Sequence, residues 1–154
     1  MSAISKHSSY VLLVEDNQDD IDLTLLTFKE FKLANEVVVI KDGADALDFI
    51  FCRGAHEKRP THHLPQVILL DINLPKVNGI DVLKTLRTDE RTRLVPVVML
   101  TTSREDRDLI ESYASGANSY VQKPVDFDAF SNALRQLGLY WLVLNQVPWQ
   151  GEAT

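Results

Sequence analysis

The sequence predicts an α/β fold, a doubly wound parallel sheet of five strands with helices on both faces. Short β-branched runs alternate five times with segments of helical period, which is the pattern of βαβ units. The runs are too continuously apolar to have a wet face, as expected of strands covered on both sides. With 154 residues, 45% hydrophobic and 25% charged, the chain has the make-up of one ordinary folded domain and not of a disordered or fibrous protein.

Tyr10-Val11-Leu12-Leu13-Val14 reads as a buried central strand that stops at Glu15-Asp16-Asn17. Ile21, Leu25 and Phe28 then recur at helical spacing behind an acid-rich first turn of Asp19, Asp20 and Asp22, which suits the positive end of a helix dipole. Residues 36–40 form a second strand, and Asp42-Gly43 opens a short helix carrying Ala44, Leu47, Ile50 and Phe51. Residues 53–64 lose all period and hold His56, His62 and His63. They read as a solvated surface loop, because neither cysteine nor a helical His-x-x-x-His spacing supports zinc. Cys52, the single cysteine, is expected to fill the core behind the second helix.

Val67-Ile68-Leu69-Leu70 is the third strand and ends in Asp71. Pro75 and Gly79 shape a turn, and Ile80, Leu83 and Leu86 mark the third helix. Residues 95–100 form the fourth buried run. It ends in Thr101-Thr102-Ser103, whose hydroxyls can cap a helix that carries Ile110 and Tyr113 and stops at Gly116. Ser119-Tyr120-Val121 is the fifth strand, followed by Gln122-Lys123-Pro124. The last helix begins near Asp126 and is expected to reach about Asn145, where Pro148 forbids much continuation.

Charge and length exclude several classes. Sixteen Lys and Arg against 22 Asp and Glu give a net charge of −6, which repels phosphate backbones and anionic membranes and disfavours direct nucleic-acid binding. One cysteine closes no intramolecular disulfide and no signal segment opens the chain, so the cytoplasm is the expected compartment. The apolar stretch 137–144 is far short of the ~20 residues that span a bilayer.

In an open α/β sheet, ligands bind beyond the carboxyl ends of the strands. Here those ends carry Glu15 and Asp16, Asp71, Thr101 and Lys123. Clustered acids repel one another unless a hard cation joins them, and Mg²⁺, shared between carboxylates and a phosphate, is the expected ion. Lys123 and Thr101 are then left to face an anion, expected to be a phosphoryl group, with Asp71 as the candidate nucleophile.

Leu13-Val14-Glu15-Asp16-Asn17, Leu69-Leu70-Asp71-Ile72-Asn73-Leu74-Pro75, Leu100-Thr101-Thr102-Ser103 and Lys123-Pro124, in that order within residues 9–137, resemble the receiver domain of bacterial two-component response regulators. The resemblance implies a flavodoxin-like (βα)5 sheet of strand order 2-1-3-4-5. It implies that Asp71 receives a phosphoryl group from a phosphohistidine on a partner kinase. Mg²⁺ would be held by Glu15, Asp16, Asp71 and the backbone carbonyl of Asn73, and Lys123, joined to Pro124 by a cis bond, would pair with the phosphoryl oxygens. Thr101 would move toward the phosphate and draw Tyr120 inward, remodelling the surface of helix four, strand five and helix five. Glu15 stands where Asp is commoner, a longer arm suited to metal contact through water. Thr102 stands where a small residue is usual and restricts access to Asp71. Asn73 and Ser103 occupy positions that tune phosphate lifetime in the family.

Phe127, Phe130, Leu134, Leu137, Trp141 and Leu144 recur at alternating spacings of three and four, while Leu139, Tyr140, Leu142 and Val143 make the last turns apolar nearly all round. Residues 138–154 are therefore expected to extend the domain with a partner surface at Leu137, Tyr140, Trp141 and Leu144, for a second copy of the chain or for the kinase. The alternative is that residues 141–149 fold back over their own domain. The long loop before strand three, the Thr-Thr-Ser run, Ser112-Tyr113 and the ending Tyr140-Trp141-Leu142 through Pro148 resemble the single-domain response regulators that partner bacterial, especially cyanobacterial, phytochromes. A light-sensing histidine kinase is then the expected donor, and another protein the downstream target.

Two other classes compete. An Mg²⁺ phosphatase that forms an aspartyl phosphate usually carries a second Asp two residues beyond the nucleophile, where this chain has Asn73. A receiver-like dimerisation scaffold would not need the intact set of site residues. The expectation is a phosphoacceptor that moves phosphoryl groups only onto and off its own Asp71, not an enzyme for external substrates.

Overall fold

The computed structural model describes residues 10–33, 36–60 and 63–148. Strands β1 (Val11–Val14), β2 (Val37–Ile40), β3 (Val67–Leu70), β4 (Val97–Thr101) and β5 (Ser119–Gln122) alternate with helices α1 (Gln18–Glu30), α2 (Gly43–Ile50), α3 (Gly79–Thr88), α4 (Asp106–Ala114) and α5 (Phe127–Gly138). All neighbouring strands are parallel, in the order β2-β1-β3-β4-β5. The expected sheet order is therefore the observed one.

Side chains alternate across the sheet and build two cores. Leu12, Val14, Ile68, Leu70, Val97 and Met99 face one way and pack against α2 and α3 through Leu47, Ile50, Ile80, Leu83 and Leu86. Val11, Leu13, Leu69, Val98 and Leu100 face the other way and meet Ile21 and Phe28 of α1 and Phe130 and Leu134 of α5. The three central strands are buried throughout, whereas β2 and β5, at the edges, are largely half-buried.

Asn17, Asp42, Asn78 and Asp126 cap α1, α2, α3 and α5, each accepting a backbone N–H three residues on. Helix α4 departs from the expected Thr101-Thr102-Ser103 cap. It starts after Glu105 without a side-chain cap, while Ser103 Oγ accepts from Glu105 N and donates to Asp108. Its buried residue is Ser112, and Ile110 and Tyr113 face solvent. Gly116 does end it, at φ +103°.

Other expectations need correction. Leu25 is exposed at the edge of α1, where Thr24 and Thr27 take up the buried face. The loop 53–64 is not wholly solvated. It contains a 3-10 turn, Gly54–His56, His56 bonds Asp45 at 2.8 Å, and His63 is buried with its ring 4.7 Å from that of Tyr10. His62 lies outside the described residues. Cys52 is half-buried at φ +55° beyond the end of α2, a turn position and not a core one. The peptide bonds among the described residues are trans, Lys123–Pro124 included.

The last helix reaches the expected Asn145, but its winding changes after Gly138. A β-carbon on Gly138 would lie 2.6 Å from Leu33 Cδ1, so the absence of one lets α5 press onto the end of α1. A π-helical turn, Leu139–Leu144, follows. Leu137, Trp141 and Leu142 pack against the α1/α5 core, Gln66 Nε2 donates to Leu142 O at 3.0 Å, and Val147 is buried. The segment thus folds back in part, while Tyr140 and Leu144 remain exposed with Leu139 and Val143. Trp149 lies outside the described residues. No helix among the described residues is long and apolar enough to cross a membrane.

Candidate functional site

The strand ladders continue one residue past their ends and so place the site. Glu15 N donates to Ile40 O (3.0 Å), Asp71 N to Val14 O (3.1 Å) and Lys123 N to Thr101 O (2.7 Å). Each polar residue is thereby held at the sheet edge by backbone bonds, with its side chain beyond the last apolar layer. Glu15, Asp71, Thr101 and Lys123 are all buried there, and Asp16 and Asn73 lie exposed at the mouth.

Carboxylate oxygens of Glu15, Asp16 and Asp71 lie within 4.8 Å of one another. The Lys123 ammonium bonds Glu15 closely, reaches Asp20 Oδ2 at 2.9 Å and approaches Asp71 Oδ2 at 3.5 Å. Asp71 Oδ1 accepts from Ile72 N at 2.7 Å, and Glu15 Oε2 from Asn17 N at 3.2 Å. Burial pushes the Glu15 carboxyl up to about 7, with the Asp71 charge adding to the rise and the Lys123 hydrogen bond opposing it. Burial works against the charge on Lys123, but Asp71, Glu15 and Asp20 outweigh it and hold the ammonium above the ordinary lysine value.

These features fit a hard divalent cation. The donors are all oxygen, and those of Glu15, Asp16 and Asp71 converge within 4.8 Å of one another.

The loop between β4 and α4 is tied to two of the expected residues. Ser103 N donates to Thr101 Oγ, and Ser103 O accepts from the Tyr120 hydroxyl, each at 3.3 Å. Ser103 also borders a polar groove of about 520 Å³ with Asn73, Asn78, Arg104 and Asp108. Thr102 is exposed.

Of the expected residues, Glu15, Asp16, Asp71, Thr101 and Lys123 converge, with Asn73 adjoining and Tyr120 linked through Ser103. Leu137, Tyr140, Trp141 and Leu144 lie apart, at the C-terminal end of α5. Asp20 was missed. It lies in the first turn of α1, directly after the strand-end acids, and its acidity was absorbed by the helix-dipole reading.

The model of the response regulator receiver domain matches residues 11–135. The chain belongs to the response regulator receiver family. This receiver is 38% identical over 138 residues to the probable methanogenesis regulatory protein FilR2 of Methanothrix harundinacea, covering 90% of this chain and 86% of that one. It is 32% identical to response regulator Rcp1 of Synechocystis, over 96% of this chain and 99% of Rcp1. The crystal structure of Mn²⁺-bound Rcp1 superposes with a TM-score of 0.85, at 32% identity, over 91% of this chain and 99% of that one. The bacteriophytochrome response regulator AtBRR is 47% identical over 90% of this chain and 99% of its own, with a TM-score of 0.70. The chain is thus a receiver of two-component signalling, related to phytochrome response regulators, in a family that binds divalent metal.

Proposed function

We propose that Asp71 accepts a phosphoryl group from a phosphohistidine of a sensor histidine kinase, and that the kinase is a phytochrome. The observation that carries this reading is the convergence of Glu15, Asp16 and Asp71 on one another, with the Lys123 ammonium against Glu15 and Asp71, at the carboxyl ends of the strands. A carboxylate oxygen of Asp71 forms the new P–O bond, the P–N bond of the phosphohistidine breaks, and its electron pair stays on the imidazole. Lys123 supplies fixed positive charge to the transferred group from a position already organised by its acidic partners. Glu15, Asp16, Asp71 and the carbonyl of Asn73 would hold Mg²⁺, which would offset carboxylate and phosphoryl charge.

The phosphoryl group next offers Thr101 Oγ an acceptor stronger than its present surroundings. Moving the Thr101 side chain disturbs its bond from Ser103 N, and Ser103 O is the acceptor for Tyr120. A charge change at Asp71 thereby reaches β5 and α4, whose Leu109, Ile110 and Tyr113 are exposed for a protein target. The phytochrome donor is supported by the likeness to Rcp1 and AtBRR. The exposed Leu139, Tyr140, Val143 and Leu144 form a face suited to a second copy of the chain, a dimer contact beyond the receiver, and the cytoplasm is where such a kinase domain would meet it.

Intact mass after incubation with Mg²⁺ and acetyl phosphate, beside Asp71→Asn, tests the acceptor. One phosphoryl group on the wild type alone is expected. Labelling of Asp71→Asn to the same extent would move the acceptor elsewhere, and labelling of neither protein would favour a scaffold. A phytochrome kinase with radiolabelled ATP, in red and far-red light, tests the donor.

A further inference from the structure

We propose that Asp20 is a positioning residue that holds the Lys123 ammonium off Asp71 in the resting protein and releases it when a phosphoryl group arrives. This rests on the reading of Asp71 as the acceptor. An ammonium has three N–H donors, and Lys123 is surrounded by three carboxylates, Glu15, Asp20 and Asp71. A phosphoryl oxygen can be met only if one of them gives way. Nζ is nearer to Asp20 (2.9 Å) than to Asp71 (3.5 Å), so the resting geometry favours the helix over the acceptor.

Burial decides which partner is given up. The Glu15 side chain is 3% exposed and has no water to turn to, whereas that of Asp20 is 24% exposed. Separating Lys123 from Asp20 therefore costs least, because the freed carboxylate is rehydrated. Asp20 is also built to swing without moving its helix. Its backbone is fixed at both ends, with the amide donating to Asn17 Oδ1 at 3.0 Å and the carbonyl accepting from Thr24 Oγ1 at 2.7 Å. The side chain borders an open cleft of about 450 Å³ whose lining includes Asp19 and Asp22, so water reaches the carboxylate once it is released.

The tether makes a prediction that simple damage to the site does not: removing it strengthens phosphoryl binding. The test is equilibrium binding of beryllium fluoride, a non-hydrolysing phosphoryl mimic, to the full chain with Mg²⁺, followed by ¹⁹F NMR. Asp20→Asn is expected to bind roughly threefold more tightly, the scale of a part-exposed ion pair. Asp20→Glu, whose longer arm still reaches Lys123, restores the wild-type value. Asp19→Asn and Asp22→Asn remove the same charge from the same turn without a bond to Lys123 and change the affinity less. Weaker or unchanged binding by Asp20→Asn overturns the tether, and so does an equal gain in the Asp19 and Asp22 variants, which would mark a charge effect alone. No binding by wild type, or binding that survives Asp71→Asn, would remove the acceptor reading itself and the tether with it.

Discussion

Gly79 lies with its α-carbon against the carbonyl of Asp71. A β-carbon there would sit 1.9 Å from that oxygen and 2.9 Å from Ile72 Cα. The Gly79 amide also donates to Ile72 O at 2.7 Å, so the first turn of α3 is clamped onto the chain segment that carries the acceptor. Gly79→Ala must push the two apart. We expect a loss of about 2–3 kcal/mol in urea unfolding, and weaker Mn²⁺ binding in the protein that remains folded, because Asp71 moves with its backbone. An unchanged unfolding midpoint would show that the turn yields at no cost.

Divalent metal is expected to stabilise the protein and to be required for phosphoryl uptake. Glu15, Asp16, Asp20 and Asp71 bring four carboxylates to an edge where Lys123 supplies the ammonium, so an arriving anion meets net negative charge. At a metal concentration about a hundred times Kd, the gain in stability is about 2.7 kcal/mol. Thermal unfolding with and without EDTA reads this directly. A midpoint unmoved by millimolar Mg²⁺ or Mn²⁺, with uptake persisting in EDTA, would sink the metal assignment.

Arg59 staples the loop before β3 to the rest of the domain. Its guanidinium lies 3.6 Å from the centre of the Phe49 ring and donates to Phe49 O, to Tyr10 Oη at 2.9 Å and to His63 O at 3.2 Å. Arg59→Ala leaves carbonyls short of donors and an aromatic face uncovered, for an expected cost of about 2–3 kcal/mol. Arg59→Lys is expected to recover little, since one ammonium cannot make the planar fork of bonds. Recovery of the full wild-type stability by lysine in chemical unfolding would reduce the staple to a point charge.

Arg59 also marks where the sequence stops being readable. The strands and the site residues at their ends were legible because β-branched runs abut acids, hydroxyls and a lysine without intervening residues, and parallel topology then brings those ends together. Loop 53–64 has no period, so the burial of His63 and the stacking of Arg59 on Phe49 depend on partners far along the chain. Helix α4 reverses the usual inference, since its apolar Leu109, Ile110 and Tyr113 face out and Ser112 faces in. The change of winding after Gly138 was hidden for a related reason: the apolar periodicity runs unbroken through Leu144, and the close approach of Gly138 to Leu33 exists only in the folded chain.

Thr101 and Tyr120 are joined through Ser103, and this linkage predicts a separation of uptake from response. Thr101→Ala removes the hydroxyl that accepts from Ser103 N but leaves Asp71, Lys123 and the acids in place. Phosphoryl uptake is expected to persist, slowed by at most about a hundredfold, the lower end for losing one electrostatic donor. The phosphorylation-dependent shift of the Tyr120 ring resonances is expected to vanish. A full Tyr120 response in the variant would route the signal around Thr101.

The C-terminal turn offers the cleanest test of self-association. Leu139, Tyr140, Val143 and Leu144 are each at least half exposed, whereas Trp141 and Leu142, in the same turn, pack on the α1/α5 core. Truncation after Gly138 would therefore strip the core as well as the surface, and a monomer obtained that way could reflect unfolding. Val143→Ser combined with Leu144→Ser leaves the Tyr140–Trp141 ring contact in place and is expected to change monomer stability by about 0.5 kcal/mol or less per site. The wild type is expected to sediment as a dimer and this variant as a monomer, with an unaltered circular dichroism spectrum. A dimer that survives both substitutions would shift the contact to another exposed apolar face, of which Leu109, Ile110 and Tyr113 on α4 is the next to substitute.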